Sequence, residues 1–192
     1  MKIFRQTYFL AILMTSSLFL FSCSSDDDNS NSDTSVTIED GRISFDISDF
    51  ENASMESDVV YYLNNQYNIK YFQIANDEGI YHNDAIWHIR FEQNSNDEIA
   101  LPEPGEYPIV QGLANTYDQT SFNATISVWT DIMTETGVTF GGNNGVVNGT
   151  IKIVSNTNNI VKGTFNFEAY SSDGEKITVS NGKFSAPYAF AN

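Results

Sequence analysis

From Val36 onward the apolar residues of this chain recur at every second position, in short runs broken by Gly, Asn and Asp. That period belongs to strands whose side chains alternate between two faces, and it leaves no room for a helix of useful length. The stretch from Ile160 to Tyr170 shows it most plainly. Val161, Gly163, Phe165, Phe167 and Ala169 share one face, and Lys162, Thr164, Asn166 and Glu168 share the other. One face is therefore expected to be buried and the other wet.

The same reading predicts strands at Val36–Ile38 and Ile43–Ile47, joined as a hairpin through Asp40-Gly41, where glycine tolerates the positive φ of a tight turn. Further strands are expected at Val59–Leu63, Ile69–Ala75, Ala85–Phe91, Tyr107–Val110, Ala124–Thr130 and Val138–Phe140. An antiparallel meander of Val146–Val154, Ile160–Tyr170 and Lys176–Tyr188 should close the chain. Only Asp49–Ser57 has spacing that admits a short helix. Many short strands at regular intervals predict one all-β domain over residues 36–192, built as an antiparallel β-sandwich or a β-barrel. With 41 % hydrophobic and 14 % aromatic residues, the chain has enough apolar mass for such a core.

The N-terminus has a different composition. Lys2 and Arg5 precede an apolar run from Tyr8 to Phe21, which ends at Ser22 before Cys23, the only cysteine. This is the layout of a secretory signal, and at about fourteen residues the run falls short of the ~20 needed to span hydrocarbon. Residues 1–22 are expected to be a signal peptide, and residues 23–35 a flexible linker free of apolar residues after Cys23. Such a coil of about twelve residues reaches roughly 20 Å.

Leu20-Phe21-Ser22-Cys23 resembles the lipobox of bacterial lipoproteins. The resemblance implies cleavage before Cys23 and attachment of acyl chains to it, and each buried methylene contributes about 0.8 kcal/mol to membrane binding. Ser25-Asp26-Asp27-Asp28 resembles the acidic export signal of Bacteroidota lipoproteins, which implies an outer-membrane protein facing the cell exterior. In the folded region, Gly163-Thr164-Phe165-Asn166-Phe167, Asn181-Gly182-Lys183-Phe184 and Pro104-Gly105-Glu106-Tyr107 resemble motifs of uncharacterised Bacteroidota lipoproteins of the DUF6252 type. That family implies an exported all-β domain and supplies no catalytic residue.

Charge narrows the partners. The net charge is −16, and loss of a leader carrying Lys2 and Arg5 makes the exported chain still more negative. The remaining basic residues are scattered from Arg42 to Lys183, so no basic patch exists to neutralise phosphates and nucleic acid is excluded. The glycine-rich run Gly141–Gly145 has no following lysine and no strand-to-helix context, so it is a turn and not a phosphate loop.

Nucleophilic catalysis needs a base beside the nucleophile, and the chain offers only His82 and His88. Zinc-type ligand spacing is missing, no segment matches an EF-hand, and the loop carboxylates Asp77-Glu78, Asp97-Glu98, Asp131 with Glu135, and Asp173 with Glu175 are read as solvated surface. No cofactor or metal site is expected. His88 and Arg90 fall on the polar face of their strand, opposite Trp87, Ile89 and Phe91. Trp129 and Asp131 likewise fall opposite Ala124, Ile126 and Val128, and a tryptophan on a polar face can stack on a sugar or contact a protein. Tyr61, Tyr62, Tyr67, Tyr71 and Tyr81 add aromatic surface.

The expected function is a non-enzymatic binding lipoprotein for glycan or protein, with Trp129, His88, Arg90 and Asp131 as candidate ligand residues. Two alternatives stay open. A lipocalin-like small-ligand carrier requires a closed barrel with an apolar interior. A carboxylate-dependent hydrolase requires two acidic groups about 5 to 9.5 Å apart.

Overall fold

The computed structural model describes residues 35–66, 69–95, 100–112, 119–131, 133 and 136–189. The expected leader, Cys23, and the export-signal residues Ser25, Asp26, Asp27 and Asp28 lie outside them, as do Tyr67, Asp97, Glu98 and Glu135. Among the described residues twelve strands follow one another: β1 (Arg42–Ser48), β2 (Ala53–Asp58), β3 (Val60–Gln66), β4 (Ile69–Ala75), β5 (Ile80–His82) and β6 (Ala85–Ser95). β7 (Gly105–Val110), β8 (Asn123–Asp131), β9 (Thr136–Gly141), β10 (Val147–Thr157), β11 (Ile160–Tyr170) and β12 (Lys176–Pro187) complete the order.

They form two antiparallel sheets packed face to face. The first runs β2-β1-β12-β11-β10-β7, and the second β3-β4-β6-β8-β9 with β5 beside β6. The architecture is a β-sandwich, and the sheets do not close into a barrel. The chain changes sheet between β2 and β3 through one residue, Val59, which is fully buried and donates its N–H to the Gly41 carbonyl at 2.9 Å. Isolated bridges at Tyr61–Tyr188, Ile109–Phe122 and Phe140–Ser171 tie the two layers at their margins.

The alternation read in the sequence puts rings into the space between the layers. Phe165 on β11 packs on Phe91 of β6 with centroids 4.8 Å apart, and Phe167 meets the same ring edge-on at 5.9 Å. Phe50, in the β1–β2 connection, sits 5.1 Å from Phe140 and 6.2 Å from Trp87. Trp87 is 0 % exposed. Filling with rings at these separations makes the interior a packed core.

Two expectations about the N-terminal strands are corrected. The turn at Asp40-Gly41 forms, with Gly41 at φ 84°, but Val36–Ile38 is not a strand. β1 already pairs with β2 on one side and β12 on the other, so no edge is left for a hairpin partner. Residues 35–37 instead lie on the outer face of the first sheet beside Lys152, Val154, Thr164 and Lys183. Asp40 fastens this strap, accepting from Ser185 Oγ at 2.7 Å and pairing with Lys162 at 2.6 Å.

Asp49–Ser57 does not form a helix. Asp49 at φ 73° ends β1, and residues 53–58 become strand β2, with Met55 and Ser57 turned inward. Six registered pairs with β1 outweigh a weak local helical spacing.

The Asn181-Gly182 step, a hairpin signal in isolation, lies in the middle of β12. Asn181 takes φ 54° there, and the register against both β1 and β11 slips at this point. It is a bulge. A Cβ at Gly182 would strike the Phe165 ring and its carbonyl oxygen, so the bulged strand can approach β11 only through a glycine.

Candidate functional site

The site grows from an interruption in the second sheet. β4 pairs with the C-terminal half of β6, from Arg90 to Ser95, and β5 with its start, from Ala85 to Trp87. Between them residues 76–79 carry no strand. Asn76 fills the gap: its Oδ1 accepts the Ile89 N–H at 2.8 Å, and its Nδ2 donates to the carbonyls of Trp87 at 3.2 Å and Glu78 at 2.6 Å. The amide therefore replaces a missing ladder partner for β6.

A strand break satisfied by one side chain leaves a hollow on the outer face. Gln73, Ala75, Asn76, His88, Arg90 and Ser127 line it, with Ile89 and Thr125, and its volume is about 290 Å³. Gly79 borders it, close enough to Ile86 that a side chain there would clash, and a Cβ would also come within 3.4 Å of the His88 ring. His88 thus leans on a bare stretch of backbone. His88 is exposed, but desolvation of its ring against this backbone lowers its pKa from the ordinary 6.5 and favours the neutral form. A neutral imidazole donates from one nitrogen and accepts at the other.

Arg90 lies across from Ala75 on one side and Thr125 on the other. Its Nε is 3.4 Å from Glu92 Oε1, so the cation of the hollow is already partnered by a carboxylate. Across β6 and β8, His88 opposes Ser127, and Ser127 Oγ lies 3.0 Å from Thr139 Oγ1 on β9. The hollow offers neutral donors and acceptors in close succession.

Trp129 is on the outer face, next to this polar row. It is half-buried and opposes Ile86 on β6 and Gly137 on β9. It points away from the first sheet, and the indole lies against Gly137, where a Cβ would come within 2.9 Å of Cε3. Glycine at that position gives the indole its seat on the sheet.

Of the four expected ligand residues, the fold brings His88 and Arg90 into the hollow and places Trp129 on its flank. Asp131 does not line the hollow. Its Oδ1 accepts the Met133 N–H at 2.8 Å and shapes the turn after β8. Gln73, Asn76, Thr125 and Ser127 were not singled out by sequence reasoning. Their signal is the Asn76–Gly79 turn between two apolar runs, which betrays a break but not that both flanking strands share one neighbour. Of the tyrosines, Tyr61 is buried, Tyr62 and Tyr71 are half-buried, and Tyr81 is 75 % exposed.

Among the described residues no group of three or more His, Cys, Asp or Glu is placed to hold a metal ion. The closed barrel that a small-ligand carrier requires is not formed. No protein-family model, curated protein or solved structure matches the chain.

Proposed function

We propose that this chain is a membrane-anchored surface lipoprotein of the DUF6252 type that binds glycan on the outer face of the β3-β4-β6-β8-β9 sheet. The observation that carries the binding reading is Trp129, held on that face against Gly137 and flanked by the His88–Ser127–Thr139 row. An indole presents a flat apolar surface to the C–H face of a sugar, while hydroxyl, amide and imidazole groups beside it exchange hydrogen bonds with sugar hydroxyls.

The anchor rests on Leu20-Phe21-Ser22-Cys23, and outward display on Ser25-Asp26-Asp27-Asp28. Cells expressing the protein and fed an alkyne-tagged palmitate should label it, and Cys23→Ser should lose the label and the membrane association. For the binding face, the full-length protein is screened against immobilised glycans, with Trp129→Ala as control. Retention of at least one glycan, lost about tenfold in the variant, supports the reading. A face that holds a protein and ignores every glycan turns the reading to protein contact.

A further inference from the structure

The outer face of the second sheet is ordered in rows that cross the strands. Tyr81 on β5 opposes Ile86 on β6, Ile86 opposes Trp129 on β8, and Trp129 opposes Gly137 on β9. The side chains of Tyr81, Ile86 and Trp129 project outward, because the inward positions of these strands belong to Ile80, Trp87, Val128 and Phe140, all of them buried. Tyr81 is 75 % exposed, and Ile86 between the two aromatics is half-buried. Two strand spacings, about 9.5 Å, separate Tyr81 from Trp129. The next row holds His88, Ser127 and Thr139, and the one after it Ala75, Arg90 and Thr125.

An apolar row with polar rows along one side of it on a sheet face matches a ribbon with a C–H face and a hydroxyl edge. Electrostatics select among such ribbons. The chain carries 25 acidic against 9 basic residues, and Arg90, the cation of these rows, already faces Glu92 at 3.4 Å. A polymer with a carboxylate on every sugar would meet a like-charged surface with no unpaired cation among the described residues of these rows to receive it.

Building on the glycan reading above, we infer that the face takes an extended, uncharged polysaccharide laid across the strands, with Tyr81 as a second stacking residue beside Trp129. Sugars over Tyr81 and Trp129 stack on the rings, and those between them cross Ile86. The polar row beside them orients the chain through its hydroxyls.

The test is affinity electrophoresis of the full-length protein in detergent, through gels containing hydroxyethylcellulose, xyloglucan or galactomannan, or the anionic carboxymethylcellulose, polygalacturonate or alginate. Retardation by a neutral polymer is expected, weakened about three- to tenfold by Tyr81→Ala and more by Trp129→Ala. Circular dichroism of both variants checks that the sheet is intact. Stronger Trp129-dependent retardation by the anionic polymers overturns the uncharged class and leaves the glycan reading standing. Retardation that Trp129→Ala abolishes and Tyr81→Ala leaves unchanged overturns the two-aromatic row alone. If no polymer retards the wild-type protein, both readings fall.

Discussion

The carboxamide of Asn76 and the backbone N–H of Ile89 meet at 2.8 Å, and through this bond a side chain continues a β-ladder where the neighbouring strand has left it. Asn76 is 7 % exposed, so the groups it serves have no ready access to water when it is removed.

Asn76→Ala is therefore expected to cost about 2–4 kcal/mol, because the Ile89 N–H and the Trp87 carbonyl lose their partner in a buried position. Urea denaturation measures this. A loss below about 1 kcal/mol would show that the strand break is held by something else.

Gly182→Ala tests the bulge in β12. The added methyl has the Phe165 ring and carbonyl in its way, and overpacking of this kind costs about 1–3 kcal/mol or more. Gly174→Ala is the comparison, since a Cβ there meets nothing within 4 Å and only the backbone at φ 84° resists it. The expected order is a larger drop in thermal midpoint for Gly182→Ala than for Gly174→Ala, and the reverse order would argue against the close approach.

Stability should fall in two separate pH windows. His88 has its folded pKa lowered by desolvation, so the unfolded chain binds the proton first, and stability declines as pH drops below the ordinary 6.5 and levels off under the folded value. Asp46 is lowered by hydrogen bonds from Asn181 and Ser54, Asp40 by Lys162 and Ser185, and Asp49 by Thr178 and the nearby Lys176. The stability these three contribute is complete above the ordinary 3.8 and is lost as pH falls through their lower folded values. Thermal midpoints recorded against pH should show both declines, and His88→Gln should remove the upper one alone.

Asp40→Ala should free the strap over the first sheet and leave the sandwich folded, because Asp40 is the residue that ties it to Ser185 and Lys162. Hydrogen exchange reads this directly. Amides around residues 36–41 should exchange faster while those of β11 stay protected, and unchanged protection at 36–41 would place the fastening elsewhere.

Much of the fold was legible residue by residue. β4 and β11 occupy the ranges that alternation assigns, and the C-terminal meander pairs in the order expected. β5 was missed because three residues are too few for a period, although Asn83 at φ 49° and Asp84 at φ 63° form the two-residue turn that returns it to β6. The Val36–Ile38 pattern was sound as a local preference and lost to competition, since both edges of β1 are occupied. The polar faces carrying His88, Arg90 and Trp129 were readable for the same reason that the core was: period two assigns both sides of a strand at once.

What the sequence determined by itself is the sidedness of each strand, because alternation is a property of covalent geometry and neighbouring residues. Tertiary structure alone decided that two sheets stack and do not close, that β4 and β5 share one flank of β6 with Asn76 between them, and that Tyr81 and Trp129 fall in one row. Strand order and register are set by which distant edges find each other and by how the rings of Phe91, Phe165 and Phe167 fill the space between the layers. These are relations between residues far apart in the chain, and no local period encodes them.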